Sequence, residues 1–221
     1  MVLSVRGRGP VAVFIEPLAK GLTRLGVSPN AVTVGGTVLA IVFALTLIPT
    51  GHVFAASALI GLTVATDMVD GTMARMQGGG TKFGATLDAT CDRLSDGAIF
   101  GAMAFWFATR EDPHELFMAL CLIILVTSQV TSYVKARAEA SGIKVVSGLI
   151  ERPERLLIGL VSLGLSGVGI PYILPIGLSI LTAGSVYTVL ERLIIVGKSD
   201  VAQEKITAPE GAREFSEVKD A

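Results

Sequence analysis

Charged side chains are scarce in this chain. They make up 17% of its 221 residues against 51% hydrophobic ones, and the mean hydropathy is positive at +0.66. An ordinary soluble domain carries about 25% charged residues, so this balance excludes one and predicts a polytopic membrane protein. Cysteine is also rare: Cys91 and Cys121 both lie in apolar helical stretches. That excludes a disulfide framework and points to packing. The two histidines, His52 and His114, fall in short loops expected on the outer side, far from the acids described below, and neither is assigned to catalysis. Met1 to Pro10 carries Arg6 and Arg8 but no long apolar core and no small-residue cleavage site, so no removable signal peptide is expected. Neither a soluble domain nor a convincing internal repeat emerges, and no nucleic-acid partner is expected.

What is present is a succession of apolar runs, and the fold class they predict is all-α. Val11, Phe14, Ile15, Leu18, Leu22 and Leu25 recur at helical spacing, with Glu16, Lys20 and Arg24 opposite. That pattern fits an interfacial amphipathic helix within residues 1–29, and equally a helix buried on the protein's own core. Ser28-Pro29-Asn30 is a helix-start signal. Six spans should follow within 30–197: Ala31 to Pro49, Val53 to Arg75, Gly84 to Ala108, a fourth to Ala140, Pro153 to Gly169, and Tyr172 to Val196. Asp112-Pro113-His114-Glu115 reads as the cap, first-turn proline and capping-box acid of the fourth. The polar segment 198–221 reads as a disordered cytoplasmic tail.

Basic residues set the expected orientation. With six spans, the loops at 50–52, 110–115 and 167–171 share one side, and only Arg110 among the lysines and arginines lies there. The opposite side should be cytoplasmic. A multi-pass protein of the inner (plasma) membrane with its site facing the cytoplasm is therefore predicted.

The organising stretch runs from Asp67 to Asp92. Asp67 and Asp70 are three residues apart and Asp88 and Asp92 four apart, so each pair shares a helix face. The glycine-rich segment 77–82 must turn, which should fold the two helices back on each other and let the four acids meet. A charged Asp at a bilayer centre costs about 2.5–3.5 kcal/mol, so four facing lipid would cost roughly 10–14 kcal/mol. They must face each other, water or a cation. Hard oxygens on adjacent helices suit Mg2+, with Mn2+ an alternative, in a two-ion site for displacement at phosphorus. Gly71 and Gly84 cost helix stability, which close approach of a ligand or small-residue packing would explain. Arg75, one turn beyond Gly71, could clamp a phosphate.

The pattern Asp67-x2-Asp70-Gly71-x2-Ala74-Arg75-x8-Gly84-x3-Asp88-x3-Asp92 resembles the signature of the CDP-alcohol phosphotransferase family at every position. The resemblance implies that Asp67, Asp70, Asp88 and Asp92 hold the metal ions, with Asp92 also the general base. It further implies a CDP-diacylglycerol pocket formed by Asn30, Ala31, Val32, Thr33, Gly71, Arg75 and Thr81. Asp96, one turn past Asp92, is expected to pair with Arg93 or a lysine.

The family serves several acceptor alcohols. Ser128, Ser132, Lys135 and Glu139 recur on one face of the fourth span, Arg152 and Arg155 open the fifth, and Arg192 lies near the inner end of the sixth. Basic residues from three helices suit an acceptor that bears a phosphate, although positive-inside topology also explains some of them. Ser132, Lys135, Arg152, Arg155 and Arg192 are the expected phosphate ligands. The runs 78–93, 135–142 and 150–156 resemble the actinobacterial phosphatidylinositol phosphate synthases, which implies an inositol phosphate acceptor, a homodimer and the lipid bilayer as partner. Glycerol 3-phosphate is the alternative acceptor. A divalent-cation transporter is a second class of reading, without the inverted repeats expected of one, and a structural scaffold would leave the acid spacing without a cause.

Overall fold

The computed structural model describes residues 8–112 and 114–205, with side chains from residue 15 onward. Arg6, the side chains of Arg8, Val11 and Phe14, Pro113, and the chain beyond residue 205 lie outside the described residues. Those described form seven α-helices and no strand: α1 Arg8–Arg24, α2 Pro29–Leu47, α3 Val53–Met76, α4 Lys82–Ala108, α5 Glu115–Ala140, α6 Arg152–Gly167 and α7 Ile173–Gly197.

Local chemistry sets several boundaries. The Ser28 hydroxyl accepts from the Ala31 N–H at 3.2 Å, and Pro29 fills the first helical position of α2. Thr81 caps α4 in the same way, accepting from the Gly84 N–H at 2.9 Å. Between α3 and α4 the chain turns through Gly78 and Gly79 at φ of 92° and 124°, a backbone that side chains with a Cβ rarely adopt. The expected capping box of α5 does not form. The residue before the helix is His114, which makes no side-chain cap. Its N–H donates to the Phe107 carbonyl at 3.1 Å and its ring packs 5.4 Å from that of Phe117. Tertiary packing of a half-buried ring has displaced the local cap.

Six helices close into a ring. α2 packs on α3 and α4, α4 on α5, α5 on α7, α7 on α6, and α6 back on α3. Their shared core includes Ile48, Ile60, Phe100, Met103, Ile124, Leu163, Leu178 and Leu181. The two acid-bearing helices, expected to fold back on each other, do not form a tight pair; both pack on α2. The first turns of α2 wedge between them and hold open a space a ligand can enter. α1 lies outside the ring against α3, where buried Ala19 meets Val69 and Met73. The start of the predicted tail is ordered: Asp200–Gln203 forms a 3-10 turn, and Ala202 packs on Ala138, Ile143 and Val145. An apolar footing explains why this part does not behave as a polar linker.

By length and composition α2, α3, α5 and α7 suffice to cross a membrane. α4 is 27 residues long but carries Asp88, Asp92, Arg93 and Asp96. α6 has 16 residues and begins with Arg152, Glu154 and Arg155. The two helices that fall short thus carry Asp92, Asp96, Arg152 and Arg155, which pair with one another across the bundle. Leu45, Phe54, Leu62, Phe105, Val126, Ile176 and Leu193 project outward around the ring, an apolar girdle that water would not tolerate. Glycines let the helices approach closely. A Cβ on Gly167 would lie 2.7 Å from the Phe54 backbone nitrogen, which cannot rotate aside. Gly167→Val should therefore lower stability by about 1–3 kcal/mol through overpacking, seen as a reduced unfolding midpoint in detergent.

Candidate active site

Three cavities surround the acid-bearing turns: Asp67 lines the first, Asp70 and Asp88 the second, and Ala89 and Arg93 beside them the third. The first, about 540 Å³, lies between α1 and α3 and is lined by Ile15, Glu16, Lys20, Asp67, Gly71, Thr72 and Arg75 among others. The second, about 380 Å³, lies between α2, α3 and α4; Asn30, Thr33, Asp70, Gly71, Gly79, Thr81, Gly84 and Asp88 belong to its wall. The third, about 340 Å³, lies between α4, α5, α6 and α7 and is lined by Arg93, Ser132, Lys135, Glu139, Glu151, Arg152, Arg155 and Arg192 among others.

Gly71 joins the first two cavities, and its missing side chain leaves that wall low. A Cβ on Gly84 would come 3.1 Å from Asn30 Oδ1 and 3.2 Å from Thr81 Oγ1, so glycine there keeps the mouth of the second cavity polar and open. Asp70 is buried and its Oδ2 accepts from the Thr33 hydroxyl at 2.5 Å. That bond ties the first acid pair to the start of α2. Asp88 faces the second cavity, while its neighbour Ala89 and Arg93 line the third. α4 is therefore the partition between the two.

Asp67 and Asp92 meet at this partition. Arg152 Nη1 lies 2.9 Å from Asp67 Oδ2 and 2.7 Å from Asp92 Oδ1. Its Nη2 reaches the Ser95 hydroxyl at 3.3 Å. Two carboxylates from different helices thus share one guanidinium, which satisfies charges that an apolar bundle could not leave unpaired. Asp96 partners neither Arg93 nor a lysine as expected. Arg93 turns to Asp92 at 3.5 Å, because the buried Arg155 already occupies Asp96. Asp96 instead accepts from Arg155 Nε at 3.2 Å and Nη2 at 2.5 Å.

Arg192 is committed to protein partners while it forms part of the third cavity's wall. Its Nε donates to the Ser147 carbonyl, Nη1 to that of Thr131 and Nη2 to Glu151 Oε1, at 2.8, 2.9 and 2.8 Å. The sequence singled it out for a ligand, and these three bonds, each to a residue remote in the chain, were not readable there. Arg75 faces the first cavity and its Nη2 reaches Thr72 Oγ1 at 2.9 Å. Ala31 and Val32 are absent from the second cavity's wall; Val32 packs instead on the Ala19, Val69 and Met73 cluster. Cys91 and Cys121 are buried and unpaired, as their apolar context predicts.

The donor set suits a hard divalent cation, since four carboxylates gather on two helices around a gap. Among the described residues, however, no three His, Cys, Asp or Glu side chains converge as a ready-made ligand cluster. The Arg152 guanidinium stands between Asp67 and Asp92, and Asp70 is bonded to Thr33. The residues fit such an ion by chemistry, provided Arg152 gives way.

Comparison with known proteins places these features. Residues 26–168 match the family model described as CDP-alcohol phosphatidyltransferase. The chain is 53% identical over 219 residues to the phosphatidylinositol phosphate synthase of Corynebacterium glutamicum, covering 99% of this chain and 100% of that one. It is 47% identical over 201 residues to the enzyme of the same name from Mycolicibacterium smegmatis, covering 90% of each. A crystal structure of Mycobacterium tuberculosis phosphatidylinositol phosphate synthase with CDP-DAG bound superposes with a TM-score of 0.84 at 46% identity, over 88% of this chain and 98% of that one. The same enzyme in complex with manganese and citrate gives 0.83 at 47% identity, over 90% and 97%.

The Arg192 clasp yields a direct expectation. Arg192→Gln should leave the half-exposed Glu151 and the Ser147 and Thr131 carbonyls short of partners, costing roughly 1–3 kcal/mol. A lower unfolding midpoint and faster proteolysis between residues 141 and 151 would register it.

Proposed function

The chain belongs to the CDP-alcohol phosphatidyltransferase family, and on that footing we propose that it transfers the phosphatidyl group of CDP-diacylglycerol to an inositol phosphate. CMP leaves and phosphatidylinositol phosphate is formed. The observation that carries this reading is the placement of a cation-rich cavity directly against the α4 turn that bears Asp88 and Asp92. Five basic side chains line it against two acidic ones, which suits an acceptor bearing its own phosphate.

The second cavity is the nucleotide's place in this reading, with Asn30, Thr33, Gly71 and Thr81 lining it. Helix starts at Pro29 and Lys82 direct N–H groups towards that space, which favours the diphosphate. The first cavity, with Arg75 and Lys20 in its wall and α1 as its roof, lies where the diphosphate would pass into the lipid part of the donor. Asp67, Asp70, Asp88 and Asp92 would hold divalent ions, two Mg2+ or Mn2+. When bound, such ions stabilise charge on the diphosphate and the leaving CMP.

The remaining work falls to the chain's own residues. Ser132, Lys135, Arg152 and Arg155 hold the acceptor's phosphate and so orient its hydroxyl. Asp92, at the partition between donor and acceptor, takes the hydroxyl proton as that oxygen attacks the phosphatidyl phosphorus. The new P–O bond forms as the bond from phosphorus to the CMP oxygen breaks. Water exclusion comes from the surrounding apolar helices.

Six membrane-crossing helices, α2 to α7, with α1 at the interface complete the reading. So do a homodimer in the plasma membrane, a site open to the cytoplasm, and three stretches at 1–29, 30–197 and 198–221. The outward apolar side chains and the basic residues gathered at one end of the bundle support this arrangement.

Purified chain supplied with CDP-diacylglycerol, Mg2+ and either inositol phosphate or glycerol 3-phosphate tests the acceptor. CMP release is expected with the first and little with the second; the reverse would overturn the assignment. Asp92→Asn should lower kcat by roughly 10²–10⁴-fold in protein that still folds, because Asp67 and Asp96 remain to pair with Arg152. Chelation of divalent ions should abolish turnover and readdition restore it.

A further inference from the structure

Asp96 has no part in the family signature, yet it is fully buried and bound to two arginines of the acceptor cavity. Its Oδ2 takes both Nε and Nη2 of Arg155, which is itself only 3% exposed. Its Oδ1 lies 3.4 Å from Arg152 Nε. Neither of these last two atoms has a hydrogen-bond partner among the described residues, although both are buried. The two oppositely charged groups therefore lie within ion-pair reach of each other, yet the N–H does not point at the oxygen as a hydrogen bond requires. Such an arrangement costs free energy unless the contact closes at some stage.

The cause of the misalignment is visible. Arg152 is pulled towards Asp67 and Asp92 at 2.9 and 2.7 Å. Those two carboxylates belong to the reacting centre, and once either turns to another ligand Arg152 loses part of its hold. Asp96 Oδ1 is then the nearest free acceptor for its Nε, and closing that bond leaves both Nη groups able to donate into the cavity. Arg155, gripped through Nε and Nη2, keeps Nη1 free for the same purpose. A single carboxylate so placed fixes two guanidinium groups at once.

We infer that Asp96 is a positioning residue for the acceptor's phosphate: it orients Arg155 and provides Arg152 with a second seat. This rests on the reading of the third cavity as the acceptor site. Asp96 itself would touch neither substrate, so the effect of losing it should fall on the acceptor and spare the donor.

The test compares wild type, Asp96→Asn, Arg155→Gln and the double variant as full-length protein, measuring KM for inositol phosphate and for CDP-diacylglycerol. Calorimetric binding of inositol phosphate without the donor gives a readout independent of turnover. For Asp96→Asn the acceptor KM and Kd should rise roughly ten- to hundredfold, the scale of a lost charged hydrogen bond, with the donor KM within about twofold. Because Asp96→Asn leaves Arg155 buried without its partner and so threatens folding, the double variant decides independently. It removes both members of that pair, and its acceptor KM should still exceed that of Arg155→Gln alone by roughly fivefold or more, since Arg152 has lost its seat. A double variant equal to Arg155→Gln, or a folded Asp96→Asn protein with the wild-type acceptor KM, overturns the inference. If wild type itself ignores inositol phosphate and uses glycerol 3-phosphate, the acceptor reading fails instead, and the same KM comparison with that substrate decides the role of Asp96.

Discussion

Asp67 on α3 and Asp92 on α4 meet on the guanidinium of Arg152 from α6. Each of these groups would be costly in an apolar bundle by itself. Together they satisfy one another only because three helices bring them to one place. That requirement shapes the ring. α3 and α6 must pack, as they do through Ser57, whose hydroxyl reaches the Leu160 carbonyl at 2.5 Å. α2 must separate α3 from α4 enough to leave a gap, yet hold both. Thr33 and its bond to Asp70 are part of that hold.

The same bookkeeping extends to the other buried cations. Arg155 is matched by Asp96 from α4, and Arg192 by Glu151 with two backbone carbonyls. Each arginine answers to a group from another element, so the pairs fix relative helix positions as well as charge. Removing one member is expected to be far more damaging than replacing both, because an uncompensated buried charge is left behind. The arginines differ in what they have left to give. Arg152 is partly exposed and shared, Arg155 keeps one terminal nitrogen, and Arg192 engages all three of its nitrogens with the protein.

Sequence legibility followed the range of the interactions. The Ser28 cap, the bounds of α3 and the helical faces of the acid pairs depend on neighbours within one turn, and these stand where spacing and composition put them. The partners of Asp96, the clasp around Arg192 and the packing of His114 depend on tertiary contacts. Arg192 and Thr131 are 61 positions apart, and no local pattern announces such a bond. Helix pairing departs from the local pattern for a related reason. A tight glycine turn between two helices suggests that they pack on each other, but here the start of α2, remote in sequence, enters between them. Val32 illustrates the finer limit, since this residue, expected in the donor pocket, faces the α1–α3 cluster while Thr33 beside it faces the acids.

The division of labour along α4 has a geometric source. Asp88, Asp92 and Asp96 follow at intervals of four residues, and each interval advances about 6 Å along the axis and about 40° around it. Over two intervals the carboxylates sweep through roughly 80°. Asp88 therefore looks into the second cavity, Asp92 stands at the boundary on Arg152, and Asp96 turns under the arginines of the third. A strict seven-residue repeat would have kept all the acids on one seam and served one cavity only. The four-residue stride makes one helix present a group to the second cavity, one to the junction and one beneath the arginines of the third, in that order along its length.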